Sequence, residues 1–326
     1  MKCFEKDIWK EDEYTYRAGY GFIPNIHAYL HDDDTKRDCM IVVPGGGYCM
    51  CVPSEAEIVA KVFYEQGMNA FVLSYTTDIT MSVPLKRQPM EDISRALRLI
   101  RKNENEYNIA GKKIIICGFS AGAHVCASLA VHFDDIKDPD ESLDKISNRP
   151  DGVILSYPVI TAGKYTHEFS IQALLGKNPL PEDLEYFSLE KNVKENTPPC
   201  FIWQTQTDDL VPVENSYMFA KALKEKNIYY AHYVFPTGIH GLSVANDDFF
   251  NARFGEPYTM KQVFMAVDAV KAGKGVDVSD ERKKELEIQF GDEEMAPPEI
   301  VHDKNLRYEV GLWPKLAKIW MERIQQ

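Results

Sequence analysis

Short apolar runs bounded by glycine, proline and polar clusters recur along this chain, with longer stretches of helical spacing between them. Residues 40–43, 70–75, 114–117, 152–158, 200–205 and 229–235 are apolar through most of their length, the pattern of strands buried on both faces. Residues 55–66, 90–105, 121–131 and 213–226 read as helices between them. In 90–105, Ile93, Ala96, Leu97 and Ile100 form the apolar face, and Arg95, Arg98 and Arg101 largely avoid it. Residues 14–20 and 25–30 predict an antiparallel opening. Residues 132–150 are polar and read as a surface loop, whereas 161–199 hold short helices at most and fall where a cap could be inserted. Strands alternating with helices predict an α/β fold, a mostly parallel central sheet with helices on both faces. With no internal repeat or low-complexity linker, residues 1–326 read as one domain.

The pattern is most pointed between 114–117 and 121–131, where the chain reads Gly118-x-Ser120-x-Gly122. A strand that turns directly into a helix pinches the backbone. The positions two before and two after the central residue then approach each other and the neighbouring strand, leaving no room for a Cβ. The serine is left strained, with its hydroxyl exposed at a helix N-terminus that favours developing negative charge. A glycine-rich turn without chemistry would need only the glycines, so the reading depends on partners elsewhere.

Active sites of open α/β sheets lie at the carboxyl ends of the strands. After 200–205 comes Asp208-Asp209-Leu210-Val211-Pro212, and after 229–235 comes Gly238-Ile239-His240-Gly241. Asp208 could be a turn residue and His240 a surface histidine, but three signals at three strand ends define a Ser120–Asp208–His240 triad. His124 competes for the role of base, yet the helix carries its ring away from Ser120. Asp209 competes with Asp208, and the D-x-x-V-P spacing selects Asp208. Pro44-Gly45-Gly46-Gly47-Tyr48, after the first buried strand, lacks the ending of a phosphate loop and reads as an oxyanion loop. The amide of Ala121 adds a further donor.

These residues resemble the α/β-hydrolase esterases, and within them the bacterial acetyl-esterase branch, xylanase-associated or sugar-esterase-like. The resemblance rests on Pro44-Gly45-Gly46-Gly47-Tyr48, Ser54-Glu55-Ala56-Glu57, Asp92-x-x-Arg95-Ala96-Leu97-Arg98, Gly118 to His124, Asp208-x-x-Val211-Pro212-Val213-x-Asn215-Ser216 and Gly238-x-His240-Gly241. It implies a serine esterase with oxyanion donors at Gly46, Gly47 and Ala121. Its substrates would be short acyl esters, such as acetyl groups on a sugar or oligosaccharide. An amidase or peptidase with the same triad, or a catalytically silent binding protein, are the alternatives. Pro44 stands where hormone-sensitive-lipase-like and formamidase-like relatives carry histidine. A helical insertion at about 247–310, after the catalytic-histidine loop, is the second departure.

Phe249, Phe250 and Phe254 lie a few residues past His240, so with Tyr48 they are candidate substrate contacts. Within the insertion, 259–272 and 280–290 have helical patterns, Ser279 can cap the second, and Pro297-Pro298 ends the excursion before Trp313 and Trp320 return to the core. A surface elaboration that only packs on the body, or that forms a dimer contact, is the competing role for this segment. The formal net charge of −13 argues against nucleic acid and anionic membranes as partners. The absence of a leader pattern, of a membrane-length apolar run, and of any pairing logic for the seven cysteines predicts a cytoplasmic protein. Cys49-x-Cys51 has no second ligand pair, so neither a metal nor another cofactor is expected.

Overall fold

A computed structural model describes residues 1–274, 278–290 and 303–324. Its centre is an eight-stranded sheet in the spatial order β1-β2-β4-β3-β5-β6-β7-β8. In chain order these are β1 (Lys2–Asp7), β2 (Asn25–Leu30), β3 (Cys39–Val43), β4 (Asn69–Ser74), β5 (Ile114–Phe119), β6 (Gly152–Ser156), β7 (Cys200–Thr205) and β8 (Tyr230–Phe235). Only β2 runs against its neighbours, and β4 through β8 pair in parallel. The antiparallel opening is therefore real, but its first strand is β1. Residues 14–20 form turns instead, and Tyr14 and Tyr16 direct their hydroxyls to Thr76 and the Val83 carbonyl.

The crossover helices are α1 (Glu57–Glu65), α2 (Gln88–Lys102), α3 (Ala121–His132), α4 (Glu141–Asp144), α5 (Glu168–Leu175), α6 (Pro181–Tyr186) and α7 (Glu214–Glu225). Two apolar cores flank the sheet. One gathers side chains of α2, α3 and α7, the other those of α1 and of α12 (Trp313–Arg323). Helix α3 is buried along its whole length, as its small residues require.

The arginines of α2 depart from the sequence pattern. Arg95 and Arg98 are buried, and Arg95 pairs with Asp138 at 2.8 Å while Arg98 pairs with Asp144 at 3.1 Å. The 132–150 segment, polar in sequence, folds over this face of α2 and supplies the carboxylates.

The insertion after β8 comprises α8 (Asp247–Phe250), α9 (Lys261–Lys271), α10 (Asp280–Gln289) and α11 (Lys304–Glu309). It joins both cores: Phe249 and Phe250 pack with α1 and α12, whereas Val263, Val267 and Leu286 pack on the opposite face. Between these, Tyr258 stacks on His27 of β2, and Gln262 hydrogen-bonds Thr77 beyond β4. Ser279 caps α10 by accepting from the Arg282 amide. Pro297 and Pro298 lie outside the described residues. Trp313 and Trp320 are buried, and the Trp313 indole donates to the Ser243 carbonyl at 2.8 Å, holding the loop that follows His240.

Candidate active site

The turn from β5 into α3 is as tight as its glycines imply. A Cβ on Gly118 would strike the Gly122 carbonyl, and one on Gly122 would strike the carbonyls of Val43 and Pro44. Ser120 is held at φ 52°, ψ −117°, a conformation that costs an ordinary residue roughly 1–3 kcal/mol. The surrounding sheet enforces it: the Ser120 amide donates to Ser156 on β6, and its carbonyl accepts from Val159 and His124.

Ser120 Oγ lies 2.8 Å from Nε2 of His240. Nδ1 of the same ring lies 2.9 and 3.1 Å from the two oxygens of Asp208. Asp208 also accepts from the amides of Leu210 and Val211, at 3.0 and 2.9 Å, and from Gln204 at 3.1 Å. The backbone amide three residues on closes the turn that aims the carboxylate. Burial of Asp208 acts to raise its pKa. The hydrogen bond and charge of His240, with the Val211 and Leu210 amides, outweigh that, and the carboxyl sits below its ordinary range. Asp209 has a different task, accepting the backbone N–H of His240 at 2.9 Å. His124 faces away. Its Nε2 lies 3.0 Å from the Phe187 carbonyl, which can only accept, so Nδ1 accepts from the Tyr48 hydroxyl at 2.7 Å. Burial lowers its pKa to about 4, which keeps it neutral.

The glycine loop after β3 lies against this serine. Gly46 and Gly47 adopt φ 126° and 63°. The Gly45 amide is taken by Glu55 Oε2 at 2.7 Å, whereas among the described residues the amides of Gly46, Gly47 and Ala121 donate to no protein acceptor. Two residues here escaped the sequence reading. Glu55 is buried, and its other oxygen accepts from the Tyr157 hydroxyl at 2.6 Å. Tyr157 accepts in turn from the Ser243 amide at 3.0 Å, and its ring stands edge-on to His240 at 4.8 Å. One carboxylate thus ties the glycine loop to the loop that carries His240. Burial raises the Glu55 pKa, against the pull of Tyr157, Gly45 and the nearby imidazole. The Ser54-Glu55-Ala56-Glu57 motif was the available signal, and nothing in it says where the carboxylate points.

The expected substrate contacts are placed elsewhere. Tyr48 is 1 % exposed, and its hydroxyl is spent on His124. Phe249 and Phe250, 6 % and 5 % exposed, lie in the apolar core with α1 and α12, and Phe254 packs against the same cluster. Their hydrophobicity is satisfied by the body of the protein. Beside the glycine loop stand instead residues of the 161–199 segment. Phe169 lies 3.0 Å from where a Cβ on Gly47 would be, and His167, lowered in pKa by burial, is close enough to feel the charges of His240 and Asp208. Cys49 and Cys51 are buried thiols, and burial pushes Cys49 up to about 12. Among the described residues, no group of three or more His, Cys, Asp or Glu side chains is placed to hold a metal, and no helix is long and apolar enough to cross a membrane.

A parallel sheet with one reversed strand, flanked by helices and carrying Ser120 on a strand–helix elbow, defines the α/β-hydrolase fold. The fold is shared with an acetyl ester-xyloside bifunctional hydrolase from Caldicellulosiruptor lactoaceticus, at a TM-score of 0.71 and 33% identity over 83% of this chain and 96% of that one. It is shared also with the carboxylesterase Cest-2923 from Lactobacillus plantarum WCFS1, at 0.66 and 21% identity over 99% and 97%. Residues 27–223 match the BD-FAE family, and the chain belongs to this family of esterase-type α/β-hydrolases. In sequence it is 67% identical over 270 residues to an endo-1,4-beta-xylanase B of Butyrivibrio fibrisolvens, covering 83% of this chain and 42% of that protein. It is 28% identical over 223 residues to an acetylxylan esterase of Xylanibacter ruminicola, covering 66% and 42%. The chain thus spans less than half the length of both of these relatives.

Proposed function

We propose that this protein is a serine esterase that removes short acyl groups, acetyl above all, from xylan-type carbohydrate. The observation that carries the reading is the unbroken hydrogen-bonded series from Ser120 Oγ through His240 to the buried Asp208, mounted on the strained elbow. His240 takes the Ser120 proton as the oxygen attacks the ester carbonyl, then returns it to the leaving alcohol. Asp208 holds the ring in the tautomer that leaves Nε2 free to accept, and stabilises the imidazolium. The amides of Gly46, Gly47 and Ala121 receive the tetrahedral oxygen. A second pass with water releases the acyl group.

The carbohydrate part of the reading is supported by the relatives, which are named for acetylxylan, acetyl-xyloside and xylan chemistry. Deacylation is favoured over glycosidic cleavage because the latter requires two carboxyl groups flanking the scissile bond. Here Asp208 is committed to His240, and Glu55 is buried between Gly45 and Tyr157. The test is acetate release from acetylated xylan and from 4-nitrophenyl acetate, together with fluorophosphonate labelling. Labelling at Ser120, abolished in Ser120→Ala along with turnover, is expected. Turnover that survives in Ser120→Ala overturns the mechanism, and activity on the aryl ester without acetate release from xylan overturns the substrate.

A further inference from the structure

Next to the glycine loop lies a cleft of about 350 Å³, walled by α5, by the loop after β4 and by α10 of the insertion. That volume is at the lower end of ligand-binding pockets, roughly 300–1,000 Å³. One end is marked by Phe169, which is 44 % exposed and edges onto Gly47 of the glycine loop. Its opposite wall is the first turn and a half of α10, with Ser279, Glu281, Arg282 and Glu285.

The walls are latched together. Arg282 donates Nε and Nη2 to the Ile79 carbonyl at 3.0 and 2.7 Å. The preceding residue, Asp78, donates its amide to the Tyr48 carbonyl at 3.0 Å, so one short loop couples α10 to the glycine loop. The Asp78 carboxylate in turn gathers the amides of Thr80, Ser82 and Val83 at 2.8, 3.0 and 3.0 Å. At the far side the Lys86 amide donates to Leu174 at the end of α5. The cleft is a preformed feature, held on its sides by side-chain and backbone hydrogen bonds to main-chain groups.

Its chemistry selects a ligand class. Arg282 is spent on Ile79 and on Glu285, which it meets at 2.6 Å. What remains in the lining is one charge of each sign, Lys177 and Glu281, with the Gln172 amide. No excess of positive charge draws a phosphate or a polyanion, and too little apolar lining exists for a long acyl chain. Mixed donors and acceptors beside one aromatic face suit a neutral chain of hydroxyl-rich rings.

We infer that this cleft binds the sugar units next to the esterified one, so that the groove between α5 and α10, rather than the insertion's aromatic first segment, sets the carbohydrate specificity. The inference rests on the reading of Ser120 as the nucleophile of a sugar esterase. Two measurements separate the fates of the two readings. The first compares kcat/KM for mono-acetylated xylose and mono-acetylated xylotetraose in the wild type and in a Gln172→Ala/Lys177→Ala variant. Both substituted residues are at least partly exposed, so folding is not at stake. A preference for the longer ester that drops about tenfold in the variant, through KM, is expected for the loss of one or two net hydrogen bonds. The second titrates unesterified xylotetraose into the intact protein by calorimetry. It requires no catalysis, so it reads the cleft even if no ester is turned over and Ser120 is unlabelled. Saturable binding weakened about tenfold by the double variant is expected. No chain-length preference, a preference indifferent to the variant, or no binding overturns the inference. So does a variant that changes preference among 4-nitrophenyl acetate, butyrate and octanoate instead, since the cleft would then take the acyl chain.

Discussion

The centre at Ser120 and the insertion behind His240 solve opposite problems. At the centre, positions are set by backbone: two glycines without room for a Cβ, a carboxylate aimed by amides two and three residues on, and a histidine loop anchored by Asp209 and Trp313. In the insertion, positions are set by what a side chain meets elsewhere in the chain. Phe249 and Phe250 fill a core beside α1 and α12, while the charged α10 lies over the cleft on the other side. Aromatic residues close to His240 in sequence are packed in the core, and a helix about 30 residues beyond them forms the substrate wall we infer. Proximity along the chain is a guide to function only where the backbone itself does the positioning.

The contrast breaks first at the centre if the proposed roles are wrong. Ser120→Ala should lower kcat by about 10⁶, and adding His240→Ala should cost little more, because such groups act as a unit. Asp208→Asn should lose about 10⁴ by favouring the wrong histidine tautomer. Asp209→Asn keeps an acceptor oxygen for the His240 amide and should stay within about tenfold, since misplacing the ring by a full ångström would cost about 10². Steady-state kinetics on 4-nitrophenyl acetate ranks these variants, and a reversal of the two aspartates would exchange their roles.

In the insertion the expectation is the reverse, stability without selectivity. Phe249→Ala or Phe250→Ala should destabilise the fold by about 3–5 kcal/mol, the usual cost of emptying a buried aromatic site. The preference among acetyl, butyryl and octanoyl esters should hold. Denaturant unfolding beside that ester panel decides it. A changed preference with an unchanged unfolding midpoint would return these rings to the pocket.

Glu55 sharpens the comparison, since it is buried like the insertion's aromatics yet serves the centre. Glu55→Ala releases both the Gly45 amide and the Tyr157 hydroxyl and should lower kcat about 10², the scale of an ångström's misplacement, with KM nearly unchanged. Glu55→Gln keeps one acceptor oxygen, enough for the Gly45 amide, and should recover part of the rate. Equal losses in the two variants would mean that the single tether to Gly45 is not what sustains the rate.

The fold's stability also depends on pH. His124 is neutral in the fold with a pKa of about 4, against an ordinary 6.5. The unfolded chain therefore takes up its proton first as the pH falls. The stability it contributes is complete above pH 6.5 and is lost between about 6.5 and 4. The melting temperature should slope downward across that window, and His124→Gln should flatten the slope. An unaltered slope would assign it to other groups.

What was legible in the sequence follows the same division. The buried parallel strands, the elbow and the ordering of Ser120, Asp208 and His240 depend on interactions within a few residues of each motif, so periodicity and spacing carry them. The sequence could rank Asp208 above Asp209 because the valine amide three residues on is part of the local turn. Tertiary structure alone decided the rest. Strand β1 was hidden because an exposed edge strand needs no apolar run. Arg95 and Arg98 look like surface charges until the 132–150 segment brings carboxylates to them. Tyr48 looks like a pocket residue until His124, 76 positions away, takes its hydroxyl. Glu55 reads as an ordinary helix-start acid until it meets Tyr157 from another strand. A local pattern records how a segment satisfies its own backbone; which distant group satisfies a polar or aromatic side chain is a property of the assembled fold.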